Sequence, residues 1–369
     1  MATLRRPPTP DGRANETPQP GPGERPPGLA RRALAAIDER FGIDALRYPV
    51  PEHANNLGWS LGGLTAAAFV ILLVTGVYLA QFYNPMPEEA NQSIRTTSSD
   101  IWLGAFARGV HYWAAQAMYV LVVLHLLRVL FHGSYKRPRE GNYLVGVTMF
   151  ALVVGAIFTG TVLKWDQEGF EALGHNIEMG DLLGGIGFWF TPEAAKHVPI
   201  LVRLYAAHVV MIPGLIVVLL TLHALLIKRH GISSHPAIPL RAHELSEPFT
   251  HHLRRIAAFG LVLLGGLGGL AVVLPPSIGP TPVEGIEVTK PPWIFWWMYT
   301  LENWFGLSAI VWGSIGLFVL LVLPPFLDRG LERSWRKRPV TIILIGLAVL
   351  AIVVLTVLMY VVKPEEHLM

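Results

Sequence analysis

The sequence of 369 residues contains no cysteine, and this absence excludes several kinds of chemistry. Disulfide bonds, thiolate-held iron–sulfur clusters and thioether-linked cofactors all require a cysteine in the chain itself. Charged residues are also scarce, at 15% of the chain, whereas 52% of its residues are hydrophobic. Soluble domains carry about 25% charged residues. The composition therefore predicts a protein that lies within a membrane.

Long runs without charge divide the chain. Seven of them are long enough to cross the hydrocarbon core of a bilayer as helices, and they cover residues 57–82, 109–127, 141–163, 204–227, 256–275, 304–325 and 340–362. We predict an all-α membrane protein of seven transmembrane helices, in which an N-terminal four-helix bundle precedes three further helices.

Composition also predicts the division into domains. Residues 1–30 are rich in proline and glycine, and we expect a disordered tail that lacks the apolar centre of a cleaved signal peptide. Residues 31–55 begin with an amphipathic pattern and predict a helix on the membrane surface with a lead-in. We assign 56–235 to the four-helix domain and 236–369 to the three-helix domain.

Basic residues predict the orientation in the membrane. One set of connecting segments holds 14 Lys and Arg in 52 residues, and the opposite set holds 7 in 100. The set that is rich in Lys and Arg comprises residues 128–140, 228–255 and 328–338, and these segments should be cytoplasmic. The N-terminus is then inside and the C-terminus outside. We further expect that the membrane is a bacterial plasma membrane. The pI near 9.1 reflects these segments, and no basic–aromatic stripe predicts a nucleic-acid partner.

Four histidines lie in two of the charge-free runs. His111 and His125 are 14 residues apart, and His208 and His223 are 15 apart. On a helix these spacings return a side chain to within about 40° and 60° of its first direction, some 21 Å along the axis. Imidazoles inside a membrane are costly and indicate function. Side by side, the two helices would offer His111 with His208 and His125 with His223, each pair holding a haem iron from both sides.

Glycines repeat with the same period in the first and third predicted helices. Gly62 and Gly76 are 14 residues apart, as are Gly146 and Gly160. A flat haem needs neighbouring helices without a Cβ, so each haem level would face a glycine on each side. Ordinary packing of small residues between helices is the alternative.

Three arginines are candidates to bind haem propionates, which seek Arg. Arg108 and Arg203 lie shortly before the first histidine of each helix, and Arg128 follows His125 by three residues. Their position at helix ends is equally typical of side chains that reach from the membrane towards water.

These residues resemble the cytochrome b subunit of cytochrome bc complexes, and the resemblance covers roughly residues 48–340. The matching stretches are VPEHANNLGWSLGGLT, ARGVHYWAA, LHLLRVL, GSYKRPREGNYLVGV, TGTVLKWDQEGF, RLYAAHVVMIPGL, IKRHGIS and PPFLDRGLERSWRKRPV. The 15-residue second spacing is similar to the chloroplast type, whose four-helix and three-helix halves are here fused in one chain.

The chain departs from the family pattern at three places. Ser60 replaces the cysteine that attaches an extra haem in the chloroplast type, so no covalent haem is implied. Lys164 replaces the proline before the Trp-Asp-Gln motif. Pro291-Pro292-Trp293-Ile294 stands where the family has Pro-Glu-Trp-Tyr, whose glutamate takes a proton from quinol.

A substitute acid is therefore needed at the outer quinol site. We predict that Glu302 accepts the proton, that Tyr299 supplies a hydroxyl, and that quinol binds near Pro291 and Trp293. An interfacial aromatic belt with a solvated Glu302 is the alternative. Glu284 and Glu287 are less favoured, because VEGIEVTK has the composition of a mobile loop. The inner quinone site would lie by His223 with Lys228 and Arg229, with His230 and Ser60 as further candidates.

The resemblance implies a quinol–cytochrome c reductase of a respiratory chain, with two non-covalent b-type haems and menaquinone or ubiquinone as substrate. It implies electron transfer coupled to proton translocation, a Rieske iron–sulfur protein, a c-type cytochrome and a homodimer embedded in lipid. Two alternatives remain. A di-haem anchor of a hydrogenase or formate dehydrogenase also uses membrane histidine pairs, and a haem-free transporter would use histidines as a proton relay.

Overall fold

A computed structural model describes residues 28–42, 48–233 and 246–361. The structure is helical apart from one short ribbon, in which β1 (Pro49–Pro51) pairs antiparallel with β2 (Ser246–Pro248). Helix α1 (Leu29–Phe41) precedes the ribbon and covers the first part of the segment in which a surface helix was predicted. The predicted tail falls almost wholly outside the described residues, as does most of the boundary near residue 236.

Six helices among the described residues are long and apolar enough to cross a membrane. They are α2 (Leu57–Ala80), α4 (Gly104–Phe131), α5 (Glu140–Leu163), the continuous span of α7 and α8 (Ile200–His230), α9 (Phe249–Val273) and α13 (Pro339–Val361). Between the first two lies the short α3 (Ala90–Ser99). Their surfaces away from the interior are apolar and exposed, as contact with lipid requires.

The sixth predicted span, residues 304–325, is shorter in the structure than its charge-free run suggested. Helix α10 (Trp296–Phe305) ends at Gly306, whose φ of 77° is readily adopted only by glycine, and α11 (Ser308–Val322) begins after it. A new turn, α12 (Pro324–Leu327), starts at Pro324. The all-α membrane fold is confirmed, with α11 as its short apolar member.

Helix packing brings the two histidine-bearing spans into one bundle. Helix α4 packs along α2, and α8 packs along α5. Of the C-terminal helices, α9 lies against α2 and α4, α11 lies against α5, and α13 packs on α10. The four N-terminal spans thus enclose the interior, and the later helices cover it.

A single turn of π-helix interrupts the fourth span. Residues Ala207–Met211 join α7 (Ile200–Ala206) to α8 (Ile212–His230), and Pro213 follows directly. Proline has no N–H to donate to the preceding turn, and its ring clashes with the carbonyl four residues back. A π turn takes one extra residue. Because His208 lies within this turn and His223 lies beyond it, the extra residue makes their 15-residue spacing geometrically close to the 14-residue spacing in α4.

One end of the bundle, which we call the acidic end, comprises residues 164–199 and 276–302. Helix α6 (Gln167–Leu182) lies there, begun by Asp166, whose side chain accepts the Gly169 N–H at 3.1 Å. Buried side chains at the N-terminus of α6 hydrogen-bond to the backbone of the long segment that follows α9. Gln167 accepts the Val283 N–H at 2.7 Å, and the other carboxylate oxygen of Asp166 accepts the Gly279 N–H at 2.7 Å.

The opposite end, which we call the basic end, comprises residues 132–139 and 328–338. Lys136 donates to Asp328 at 2.6 Å, and Arg338 lies 3.5 Å from the same carboxylate. Tyr135 donates to Asp328 at 2.6 Å and accepts from Arg338 at 2.9 Å. These four side chains, the basic-end cluster, connect the α4–α5 loop to the segment before α13.

Candidate functional sites

The outer histidine pair lies between α4 and the π turn. The ring centroids of His111 and His208 are 6.3 Å apart, and the ring planes differ by 63°. A metal held at about 2 Å from one nitrogen of each imidazole requires roughly this separation. The separation of the two rings would therefore allow both histidines to hold one metal ion between them.

Two threonines fix which nitrogen of each outer histidine faces the gap. Nδ1 of His111 lies 2.9 Å from Oγ1 of Thr75, and Nδ1 of His208 lies 2.9 Å from Oγ1 of Thr159. Each hydroxyl directs its own hydrogen to a backbone carbonyl, that of Ile71 at 2.7 Å or Gly155 at 2.9 Å. The threonine oxygen must then accept from Nδ1–H, so Nε2 carries the lone pair. This is the tautomer and the supporting hydrogen bond of a metal-ligating histidine.

The inner histidine pair has a different support. Nδ1 of His223 lies 3.1 Å from the carbonyl oxygen of Asn142, so it donates there and leaves Nε2 as the acceptor. Nδ1 of His125 is buried and has no hydrogen-bond partner among the described residues. Buried polar atoms are rarely unpaired in a complete native protein. His125 therefore lies where an additional group would complete its surroundings.

The four predicted glycines face the four histidines one to one. A Cβ at Gly62 would lie 3.0 Å from the His125 ring, and a Cβ at Gly76 would lie 3.2 Å from His111. Across the bundle, the corresponding distances are 3.6 Å from Gly146 to His223 and 3.0 Å from Gly160 to His208. The shared 14-residue period thus reflects the close approach of a helix backbone to an imidazole ring at each of these four positions.

Among the three predicted arginines, one has a buried N–H group that donates no hydrogen bond to the described residues. Arg108 donates to Ser98 at 3.1 Å and to the carbonyl of Pro276, while Arg203 donates to the carbonyls of Trp189 and Thr191. Arg128 lies 4.4 Å above the Trp59 ring, and its buried Nε has no hydrogen-bond partner among the described residues. Arg128 is thus the arginine whose geometry fits an anionic group beside His125.

A cavity of about 280 Å³ lies at the acidic end between α5, α6 and α10. Apolar and aromatic side chains form most of its wall, including Val154, Phe158, Met179, Phe295 and Met298. Helix α5 separates it from the outer histidine pair: Phe158 and Thr161 line the cavity, while Thr159 between them contacts His208. The cavity and the pair are therefore about one helix diameter, roughly 10 Å, apart.

A histidine that the sequence did not suggest lies at the wall of this cavity. Nε2 of His175 is 3.1 Å from the Glu302 carboxylate and 3.6 Å from that of Glu287. Burial alone would lower the pKa of His175, but the hydrogen bond and charge of Glu302, the Glu171 carbonyl and Glu287 together raise it to about 9. At neutral pH this imidazole is therefore charged.

The predicted quinol-site residues are only partly brought together. Pro291 and Tyr299 line the cavity, and Glu302 lies behind His175. Trp293 begins a helical turn, but its side chain does not line the cavity, because its indole points to Gln116 and donates to it at 2.7 Å. Glu287 is 5% exposed and accepts from Tyr299 at 2.6 Å, so its segment is anchored rather than loosely placed.

The residues suggested for an inner quinone site lie beside the basic end, where Arg139 donates to the carbonyl of His230 at 2.8 Å. Lys228 and Arg229 are exposed at the end of α8, and Lys228 is 5.6 Å from the Tyr48 ring. Ser60 is fully buried and donates to the carbonyl of Asn56 at 3.1 Å.

Comparison with known proteins agrees with these features. The model of the family described as Cytochrome b/b6/petB matches residues 46–231. Cytochrome b6 of Heliobacterium modesticaldum is 35% identical over 214 residues, covering 57% of this chain and 96% of that protein. The menaquinol:cytochrome c reductase cytochrome b subunit of Bacillus subtilis is 33% identical over 213 residues, covering 53% and 95%.

Two further matches extend beyond the four-helix part. The cytochrome bc complex cytochrome b subunit of Chlorobaculum thiosulfatiphilum is 31% identical over 333 residues, which cover 84% of this chain and 75% of that protein. A chain of the solved hyperthermophilic respiratory Complex III superposes with a TM-score of 0.72 over 90% of this chain and 92% of its own length. At 21% identity, that likeness concerns the fold.

The fold is that of an integral membrane protein in which paired imidazoles lie between the helices. This chain belongs to the cytochrome b/b6 family. Membership implies binding of b-type haem and quinone, and a role as a subunit of a membrane oxidoreductase complex of the bc type. The family assignment therefore favours the reductase over the hydrogenase anchor and the haem-free transporter.

Proposed function

We propose that this chain is the electron-transferring subunit of a quinol–cytochrome c reductase. It oxidises menaquinol or ubiquinol in the acidic-end cavity and reduces quinone near the basic end, with coupled proton translocation. The outer pair His111 and His208 carries the proposal, because its spacing and its threonine-fixed tautomers suit one metal ion between two neutral imidazoles.

Two non-covalent haems fit the four histidines. His111 with His208 would hold the outer haem, and His125 with His223 the inner one, each supplying reversible one-electron chemistry when bound. Gly62, Gly76, Gly146 and Gly160 leave room beside the imidazoles. Arg128 is positioned to donate to a propionate, whereas Arg108 and Arg203 first have to release backbone carbonyls.

The family and the relatives named as reductase subunits support the rest of the proposed assembly. A Rieske iron–sulfur protein docks at the acidic end and takes one electron from each quinol, and a c-type cytochrome accepts it in turn. The other electron crosses the bundle towards the basic end. The complex is a homodimer in a bacterial plasma membrane, with its acidic end outside and the quinone site near Lys228 and Arg229 inside.

The test is quinol-dependent turnover by the purified complex. Reduced quinol should reduce a c-type cytochrome, and a pyridine haemochrome assay should give two b-type haems per chain. Denaturing gels stained for haem should leave this chain unstained, because it contains no cysteine. One haem or none per chain, or a complex without an iron–sulfur EPR signal, would contradict the proposal.

The two glycines beside the proposed inner haem ligands should tolerate an added methyl group to different degrees. A methyl at Gly62 would lie 3.0 Å from the His125 ring, whereas one at Gly146 would lie at an ordinary 3.6 Å from His223. Overpacking costs about 1–3 kcal/mol, so Gly62→Ala should weaken retention of the inner haem on the order of tenfold. Gly146→Ala is the matched control and should bind haem normally. Equal haem loss in both variants would refute this account of the glycines.

A further inference from the structure

Three acids line the cavity, and two of them are already engaged. Glu168 is ion-paired with Lys164. Glu171 accepts hydrogen bonds from the Gln167 side chain at 2.9 Å, from the backbone N–H groups of Val288 and Thr289 at 2.9 and 3.0 Å, and from the Thr289 hydroxyl. Its four donors occupy both oxygens. Neither acid is free to take a proton from a molecule in the cavity without breaking these contacts.

Glu287 is the third acid, and its position is different. One oxygen, Oε1, accepts from the Tyr299 hydroxyl at 2.6 Å and lies 3.6 Å from Nε2 of His175. The other oxygen, Oε2, has no hydrogen-bond partner among the described residues. Burial first, and then the contact with Glu287, raise the pKa of Tyr299, so the phenol keeps its proton and remains a donor. Glu287 therefore presents an unused carboxylate oxygen beside the cavity.

We propose that Glu287 takes a proton from quinol and that His175 passes it to Glu302. This inference rests on the proposed function, since it needs quinol in the cavity. It assigns the role of proton acceptor to an acid that stands before the Pro291-Pro292 pair, and it moves Glu302 to the end of a three-residue path.

The His175 ring is oriented for such a transfer. Its Nδ1 lies 2.9 Å from the carbonyl oxygen of Glu171, so Nδ1–H donates there and holds the ring. Its Nε2 faces both carboxylates, at 3.1 Å from Glu302 and 3.6 Å from Glu287. One nitrogen can therefore deliver a proton on one side and receive the next on the other.

The proton steps balance as follows. A quinol O–H bond breaks, its proton binds Glu287, and the electron pair of that bond stays on the quinol oxygen. The one-electron acceptors of the proposed complex, an iron–sulfur protein and a haem held by His111 and His208, would take up the electrons. The charged His175 gives its Nε2 proton to Glu302, which releases it to water. The vacated Nε2 then takes the proton from Glu287. Each cycle restores all three residues and moves one proton from quinol to solvent.

Glu302 is placed at the exit of this path. It does not line the cavity, whereas His175 and Glu287 do. Its side chain remains 14% exposed, compared with 6% for Glu287. Glu302 thus reaches water more readily than Glu287 does. Among the described residues, its side chain is hydrogen-bonded to one residue of the cavity wall, His175.

Substitutions of Glu287 separate proton transfer from packing. In Glu287→Gln the amide oxygen still accepts from Tyr299, but the side chain no longer takes a proton. Loss of a general base costs about 10²-fold or more, so we expect kcat for quinol oxidation to fall about 10²-fold with little change in KM. Glu287→Asp keeps a carboxylate and should be clearly faster than Glu287→Gln. If Glu287 served only to anchor its segment, the Gln variant would be the faster of the two.

The matched control is Glu178→Gln, an exposed acid on the same helix as His175, which should leave turnover unchanged. Glu302→Gln and His175→Asn should also slow turnover, Glu302→Gln less strongly because water can replace an acid at the exit. All variants should contain the same haem, counted after dithionite reduction. Wild-type turnover in Glu287→Gln would overturn this inference alone. Wild-type protein that quinol fails to reduce would overturn the proposed function as well.

Discussion

Replacing His223 by leucine should remove the inner haem and leave the outer haem in place. Leucine has no ligand atom, and His125 alone would offer only one side of the iron. The outer pair is separately supported by Thr75 and Thr159, so its geometry should survive. The pyridine haemochrome assay should fall from two haems per chain to one, and a redox-titrated visible spectrum should lose one step.

Electron transfer should be affected more severely than haem content. Without the inner haem, electrons from quinol have no route across the bundle, so steady-state turnover should fall to background. Quinol should still reduce the remaining outer haem in a single turnover. His251→Asn provides the control, because this histidine is exposed at the start of α9 and pairs only with Glu247, at 3.7 Å. Two haems per chain in His223→Leu would contradict the assigned ligand pairs.

The positions of the spans and the histidine levels were predictable from the sequence. Both follow from distances along a single helix, where hydrophobic runs set the length and residue spacing sets the depth. The glycine period was informative for the same reason, and the structure places each glycine against a different histidine. The Thr-Gly dipeptides at 75–76 and 159–160 were an unused signal, since each threonine supports the histidine that its glycine faces.

The cavity was less predictable, because its residues come from distant segments. His175 and Glu302 are 127 residues apart in sequence, and nothing in either segment predicts their contact. The segment around Glu287 has the composition of a mobile loop, yet Glu171 of α6 binds its backbone through two N–H groups. Likewise, Pro213 predicts a disturbance of the fourth span, but not that the disturbance is a π turn that brings His208 and His223 into register.

The second large effect that we expect is a loss of folding stability when the carboxylate of the basic-end cluster is removed. Asp328→Asn should destabilise the protein, because Lys136 and Arg338 would remain buried without a carboxylate. Their side chains are only 6% and 1% exposed. Removing one partner of a fully buried ion pair costs about 3–5 kcal/mol. Asp328 itself is 15% exposed, so we expect a lower cost of roughly 2–3 kcal/mol and a fall in Tm of about 5 °C.

The Asp328 carboxylate also makes the stability of the folded protein depend on pH. Burial would raise the pKa of Asp328, but hydrogen bonds from Lys136 and Tyr135 and the nearby positive charges outweigh it and lower the pKa. Its stabilising contribution is therefore complete above the unfolded pKa, near 3.9, and is lost as the pH falls through the lower folded value. Below that window the wild-type protein and Asp328→Asn should become equally stable.

A neighbouring acid supplies the control for charge alone. Glu332 is exposed in the same segment and pairs at 3.0 Å with Lys337, whose side chain is 71% exposed. Glu332→Gln should leave Tm almost unchanged, because water solvates both partners of a surface pair. Thermal unfolding in detergent, followed by tryptophan fluorescence and by loss of the haem spectrum, measures both variants. If Asp328→Asn unfolds at the temperature of Glu332→Gln, the basic-end cluster does not hold the α4–α5 loop to the segment before α13, and burial of its two cations is compensated by water.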